Sequence, residues 1–567
     1  MAISFTKLFR LLSGLAIVGL LAQHSFSQSR IPALDSMGMN MGRQNWKAAL
    51  QWALKAAEAE PSQRNWRYLN AAEFASRDGN RELALHYARL VVESDIAVKA
   101  GFNKSFAWLD DDPQWKALMD RIAFLREQER QSKIKASLPF RIAQQESLLR
   151  ADQYVDSLAQ MPSAELLYKK IRQDRPKRLH SGSGRYSYAW IKLADTLQIP
   201  YLVQLPPHFE AEKEYPLIVV LHGAVGRQDQ ISDVPDSTQV FFGRRFMHQA
   251  SESGYIAVFP YSNKRFNWMM PDDGFELVPE LVRQVKHLYA VDDSRVYVTG
   301  HSNGATGAFS YLMKEPGLFA GFSGINNRPQ VRTGGTFFKN ALNRSFYNVA
   351  TDYDYYFPFE GHQAVTALAG KLGIDWQNVE ITGQRPHHYL ITSNDSITQR
   401  VYSQLFADMS TKKRDPFQKQ LYWECDNSKH GRSDWLEIVQ LDTLRRAETW
   451  HSPINVPVSG WRLAETPGVV LDSTSNAFEF PRKSGAVQAI FTSNGFELKT
   501  SRVGKVRVYL SPEMVDFNKN IKVIINGRKV FDRRAAMDRS FLLAQYRKEI
   551  DHQSVWVNAL EFDIPAN

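Results

Sequence analysis

The sequence predicts an α/β fold: a doubly wound parallel sheet, with an N-terminal α-helical hairpin region before it and a small C-terminal β-rich module after it. Three observations predict this. Short apolar runs at 217–221, 255–259 and 295–299 alternate with helical stretches such as 275–289. Unbroken apolar runs are typical of strands buried on both faces, and their interleaving with helices marks a parallel sheet. The first part of the chain instead repeats apolar residues every three or four positions, and the last part carries short strand-like runs joined by an Asn-Gly turn.

Composition narrows the function classes. The 567 residues suggest two to four domains. With 43% hydrophobic and 23% charged residues the chain can bury a large core, which excludes wholesale disorder. A mean hydropathy of -0.39 excludes a polytopic membrane protein. The single cysteine, Cys425, excludes an intramolecular disulfide and a Cys-rich zinc site. The net charge of +10 comes from basic residues dispersed along the chain, so no nucleic-acid partner is expected.

Taken in order, residues 1–27 read as a signal peptide. Lys7 and Arg10 precede an apolar stretch at 11–22, too short to span a bilayer, and Ser25 and Ser27 supply the small residues of a cleavage site. The expectation is an exported protein, periplasmic or extracellular, with no stable membrane anchor. Residues 28–135 are predicted helical. Trp46, Ala49, Leu50, Ala53, Leu54 and Ala57 form one stripe, ended by Pro61, and Trp66, Leu69, Ala72 and Ala75 form a second, broken at Gly79. Paired short helices rich in Ala and Trp resemble tetratricopeptide hairpins, but only about one and a half repeats are present where three are usual. A helical cap is therefore expected ahead of a solenoid that binds a protein partner. Asp110, Asp111 and Asp112 read as a turn opening a helix at Pro113 and lack a calcium-loop pattern.

Residues 136–176 are expected to be a helical linker, 177–440 the catalytic domain and 441–567 the β-rich module, of sandwich type. In the module, strands at 506–510 and 521–525 lead into Asn526-Gly527, a hairpin turn whose residues accept positive φ.

The chemistry lies in the middle domain. The strand at 296–299 runs into Gly300-His301-Ser302-Asn303-Gly304-Ala305 and then a helix-compatible stretch. G-x-S-x-G between strand and helix is a nucleophile elbow: small residues two before and two after the serine let the backbone fold back, which lifts the hydroxyl clear at a helix N-terminus. A serine needs a base, an orienting carboxylate and oxyanion donors. The backbone N–H groups of Gly223 and Ala224, just after the strand 217–221, and that of Asn303 are the expected donors, with His222 as a brace for that loop. Downstream, the strand 346–350 is followed by Asp352 and Asp354, two competing carboxylates. The strand 379–382 is followed by His387 and His388, two competing bases. Adjacent side chains at a strand end should face opposite ways, so only one histidine is expected to reach Ser302. His430 is a further candidate base, past the expected strand. Trp268, Met269 and Met270 are expected either to line a substrate pocket or to pack in the core.

The elbow, together with Leu221-His222-Gly223 and 291–297 (VDDSRVY), resembles the α/β-hydrolase serine esterases. The similarity is greatest to the secreted polyhydroxybutyrate-depolymerase-like and feruloyl- or acetylxylan-esterase-like branch, over about 177–438. The resemblance implies a doubly wound α/β-hydrolase sheet and the order Ser302, Asp, His. It favours Asp354, which precedes Pro358, and His387, which has Tyr389 two residues on, although Pro386 stands where glycine is common. It implies hydrolysis of carboxylic esters, polymeric or carbohydrate-linked, through an acyl-enzyme with no metal or organic cofactor. A serine exopeptidase of related fold and an envelope interaction protein with a relic hydrolase domain are the alternatives.

Overall fold

The computed structural model describes residues 33, 36, 37, 40, 41, 43–94, 102, 104–174, 185–194, 197–225, 237–354, 356–463 and 470–565. The signal peptide expected at 1–27 lies outside the described residues. Among the described residues no helix is long and apolar enough to cross a membrane. The chain divides into two units, 1–132 and 133–567.

In the first unit, helices α1 (Trp46–Ala59), α2 (Arg64–Arg77) and α3 (Arg81–Val92) follow one another through short turns. Asn45 and Asn80 cap α1 and α3, their side chains accepting from the amides of Ala48 and Leu83. Pro61 opens the turn after α1, and Gly79, at φ +72°, turns the chain after α2. Ala49, Ala53, Ala72 and Ala84 are fully buried, so the interior is built on small residues that let the helices approach closely. Asp112 accepts from the amides of Gln114 and Trp115 and opens α4 (Pro113–Leu158). The boundary expected at 135/136, between a helical region and a helical linker, lies inside a helix. A single helix of 46 residues covers it, because the stretch has no glycine and Pro139 is carried within the helix.

The second unit continues with α5 (Ala164–Gln173) and then an eight-stranded sheet. Its strands are β1 (Tyr186–Ala194), β2 (Leu197–Gln204), β3 (Tyr215–Leu221), β4 (Ile256–Pro260), β5 (Val291–Gly300), β6 (Gly321–Ile325), β7 (Ser345–Tyr353) and β8 (Trp376–Pro386). They lie in the order β1-β2-β4-β3-β5-β6-β7-β8. The β1–β2 hairpin and the β2–β4 pair are antiparallel, and every pair from β4 to β8 is parallel. Helices α6 (Ser237–Glu252), α7 (Leu277–Leu288), α8 (Asn303–Lys314), α9 (Phe359–Leu372) and α10 (Ser396–Thr411) cover it. Strand β3 shows how both faces are filled. Leu217, Val219 and Leu221 pack with Leu281 of α7, Leu312 of α8 and Val365 of α9, whereas Ile218 and Val220 pack with Phe246 of α6 and Leu405 of α10.

The C-terminal module begins earlier than expected. Strands 420–425, 485–492, 495–501, 521–525 and 528–533 form one sheet, and 432–433, 436–441, 503–510 and 558–563 form another. Trp423 and Val487 of the first share a core with Leu436 and Val506 of the second, which makes a sandwich. The boundary expected at 440/441 thus moves to about 420, because pairing of Leu436 with Val508 places 436–441 in the later sheet, and a short apolar strand does not announce which sheet it joins.

The module is locked to the α/β domain by buried charges. Lys286 Nζ of α7 lies 2.7 Å from Asp293 Oδ1 and 3.2 Å from Asp551 Oδ2, and Arg414 lies 2.7 Å from Asp551 Oδ2. All four side chains are at most 5% exposed. Burial alone would raise the Asp551 pKa, but Arg414 and Lys286 hold it well below the ordinary carboxylate range. Asp551→Ala removes the buried ion pair of Arg414 and leaves Lys286 with Asp293 alone, and should lower the unfolding free energy in urea by about 3–5 kcal/mol. A loss below about 1 kcal/mol would show that the cluster does not hold the module in place.

Candidate active site

Ser302 sits where β5 ends and α8 begins, at φ +58° and ψ −123°. A non-glycine residue there is strained, typically by about 1–3 kcal/mol, and persists only where its surroundings dictate it. The flanking glycines supply the cause. A Cβ on Gly304 would lie 1.9 Å from the Leu221 carbonyl oxygen, and one on Gly300 would lie 2.5 Å from the same atom. Only glycine lets the end of β3 and the start of α8 touch, and the turn between them must be sharp. The turn is pinned by Ser302 N–H donating to Ile325 O (3.0 Å) and Thr306 N–H donating to Ser302 O (3.0 Å).

The loop after β3 abuts this serine. A Cβ on Gly223 would meet Ser302 Cβ at 3.1 Å. Ala224 follows at φ +56°. His222 braces the loop: Nδ1 lies 2.7 Å from Gly223 O, and Nε2 accepts from the Ser262 hydroxyl at 3.2 Å. Burial pushes the His222 pKa down to about 4, so the ring is neutral and has no charge to give. Gly223, Ala224 and Asn303 line the same cleft as Ser302, and the amide of Asn303, in the first turn of α8, has no intrahelical acceptor.

The two carboxylates divide their work. Asp354 Oδ2 lies 2.7 Å from His387 Nδ1, with both side chains at most 1% exposed. Its Oδ1 accepts from the amides of Tyr356 (2.8 Å) and Phe357 (3.1 Å). Asp352 faces the backbone instead, accepting from Gly383 (2.8 Å), Gln384 (3.1 Å) and Arg385 (2.8 Å), the residues just before the histidines. Burial raises the Asp352 pKa, but the amides of Arg385, Gln384 and Gly383 outweigh it, so the net shift is downward from 3.8. The folded value is depressed, so the clamp is complete above pH 3.8 and is lost only as pH falls below it.

His387 is held at its backbone as well. Its carbonyl accepts from Asn326 Nδ2 (2.8 Å) and lies 2.9 Å from His301 Nε2. That bond puts the His301 proton on Nε2. Burial, then the neighbouring His387, press the His301 pKa down to about 3. Asn326 also donates to Thr351 Oγ1 and accepts the Thr351 amide, tying β6 to β7. Sequence reasoning missed Asn326 and His301 as supports, since an asparagine at a strand end and the residue before the serine carry no periodic signal.

His387 and His388 do not face opposite ways. β8 ends at Pro386, so both lie in the turn beyond it, where strand alternation no longer applies. Their rings are 4.8 Å apart and both line the cleft of about 660 Å³ that contains Ser302. Phe246, Phe259 and Ile391 give this cleft an apolar wall, and Arg328 and Arg332 stand in it as cations. Ring nitrogens of His301, His387 and His388 lie within 4.8 Å of one another, close enough for three histidines to hold a metal ion. His301 and His387 each already engage one nitrogen, so such an ion would have to take the others. His430 is outside the cleft, buried with Nδ1 2.6 Å from Glu315. Trp268 and Met269 are core residues, Trp268 packing edge-on to His222 at 4.7 Å.

No family model and no curated protein matches the chain. Solved structures similar to it include a thermostable esterase, with 20% identity, TM-score 0.32, 41% of this chain and 64% of that one covered. They include Thermogutta terrifontis esterase 2 phosphorylated by paraoxon, with 14% identity, TM-score 0.33 and coverage of 40% and 94%. They also include Porphyromonas gingivalis dipeptidyl peptidase 4, with 13% identity, TM-score 0.32 and coverage of 40% and 35%. The chain therefore spans less than two thirds of the thermostable esterase and about a third of the peptidase.

If Asp354 orients the histidine, Asp354→Asn should slow fluorophosphonate labelling of Ser302 by up to about 10⁴-fold, since an amide favours the wrong imidazole tautomer. Asp352→Asn leaves that contact intact and should slow labelling far less. A larger loss in the Asp352 variant would exchange the two roles.

Proposed function

We propose that this protein is an exported serine hydrolase of the α/β-hydrolase type that cleaves carboxylic esters. One observation carries the reading. Ser302 is held at positive φ on a strand-to-helix turn, in the same cleft as a histidine bonded through Nδ1 to a buried aspartate.

In the proposed mechanism Ser302 Oγ attacks the ester carbonyl and its proton passes to His387 Nε2. Asp354 fixes the Nδ1–H tautomer and stabilises the imidazolium. The amides of Gly223, Ala224 and Asn303 hold the oxyanion. The C–O bond to the alcohol breaks as His387 returns the proton to it, leaving an acyl-serine. Water then gives its proton to His387 and attacks the acyl carbon, which releases the acid and restores Ser302. Every proton moves through His387, so the cycle requires no metal and no organic cofactor.

Ser302→Ala should abolish turnover of 4-nitrophenyl, feruloyl and acetyl-sugar esters, a loss of about 10⁶-fold. More than about a hundredth of wild-type activity would remove Ser302 from the role. Cleavage of aminoacyl anilides in preference to esters would make the chain an exopeptidase. Absence of fluorophosphonate labelling would favour an interaction protein with a relic domain.

His387→Ala should likewise be inactive, while His388→Ala should keep substantial kcat/KM. The reverse pattern would move the base by one residue. Export is tested by fractionation: a mature form starting near Gln28 outside the cytoplasm is expected, and an unprocessed cytoplasmic chain would refute it.

A further inference from the structure

Arg332 is exposed, lines the cleft that contains Ser302, and forms no ion pair with any described residue. Arg328 stands in the same cleft four residues earlier. Among the described residues lining the cleft there is no aspartate or glutamate. An arginine in a cleft with no ion-pair partner among the described residues suits an anion, because arginine presents paired N–H donors that match a carboxylate.

The backbone carrying these arginines is fixed rather than loose. Arg328 N–H donates to Thr306 Oγ1 (3.0 Å), one turn along α8 from Ser302. Val331 N–H donates to Thr336 Oγ1 (2.9 Å). The Thr333 carbonyl accepts from Lys314 Nζ (3.1 Å) and Arg482 Nη2 (2.9 Å). Gly335 N–H donates to Asp426 Oδ2 (2.9 Å), and Thr336 N–H to Glu479 O (3.3 Å). Asp426, Glu479 and Arg482 belong to the C-terminal part of the chain, so that module holds the loop from outside while α8 holds it from inside. The conformational entropy of the loop is removed before any ligand arrives, which is the condition for a selective charged contact.

We propose that Arg332 forms an anion-recognising subsite, and that the ester cleaved at Ser302 carries a free carboxylate. The substrate part of this inference rests on the serine-hydrolase reading, but the subsite does not. Two ester pairs test it, each a carboxylate against its neutral carboxamide. The acyl-side pair is the 4-nitrophenyl ester of 4-carboxybenzoate and that of 4-carbamoylbenzoate. The alcohol-side pair is 4-acetoxybenzoate and 4-acetoxybenzamide.

In at least one pair kcat/KM should favour the carboxylate. That ratio should fall about tenfold or more in Arg332→Gln and should shrink with added salt. A ratio cancels general losses of folding or turnover, and the pair that shows it tells which side of the ester carries the charge. A ratio of one or less in both pairs, or a ratio that Arg332→Gln leaves unchanged, overturns the inference. If none of the four esters is cleaved, the substrate part of the inference fails, the hydrolase reading stays with the fluorophosphonate test, and the subsite is judged by calorimetry on the full-length protein. Binding of 4-phenylbutyrate in preference to 4-phenylbutyramide, with the preference lost in Arg332→Gln, would sustain it. No preference would end it.

Discussion

The candidate site depends on one backbone contact, the Leu221 carbonyl oxygen pressed against Gly304. There is no room there for a Cβ, and the same oxygen crowds Gly300. With β3 and α8 in touch, the chain between Gly300 and Gly304 must reverse within three residues, which drives Ser302 to positive φ. The same contact sets Gly223, two residues beyond Leu221, against Ser302 Cβ. Ser302 and the loop after β3 are therefore placed by one steric fact. Ile325 O, accepting the Ser302 amide, adds the end of β6 as a third fixed point.

Around that turn, nearly every polar group acts by holding another. Asp354 holds the His387 ring, while the amides of Tyr356 and Phe357 hold Asp354. Asp352 holds the three amides that lead into His387, and Asn326 and His301 hold its carbonyl. His222 and His301 are kept neutral by burial, so they lend hydrogen bonds without adding charge beside the imidazolium that the mechanism requires. The proposed catalytic geometry must hold to a fraction of an ångström, and supports at both ring and backbone are how a loop residue achieves it.

What was legible in the sequence was local. Apolar runs gave β3, β4 and β5, and G-x-S-x-G named the turn because its serine and glycines lie within five residues, although the contact they answer to, Leu221 O, is remote in sequence. The choice between Asp352 and Asp354 was not local, since it depends on what β8 and its following turn present to each. The adjacent histidines misled for a related reason: alternation governs a strand, and both residues lie past the end of one. The start expected for the last module shifted where pairing decides membership, as with 436–441. Arg328 and Arg332 carried no signal, because an arginine in a cleft and one on an open surface look alike in sequence.

The C-terminal module is better understood as part of the site than as an appendage. Its Asp426 and Arg482 tie down the 328–336 loop, and its Asp551 closes the buried cluster with Arg414 and Lys286. A well-packed apolar interface can be as stable as a buried ion cluster, so stability alone does not explain the choice. Charged groups differ in specificity: an apolar interface tolerates sliding, whereas Asp551 loses both cations if the module shifts by an ångström or two. A module docked in one register delivers Asp426, and hence Gly335 and the loop, to one position. On this argument the buried cluster, remote in sequence from Ser302, fixes where the cleft carries its positive charge.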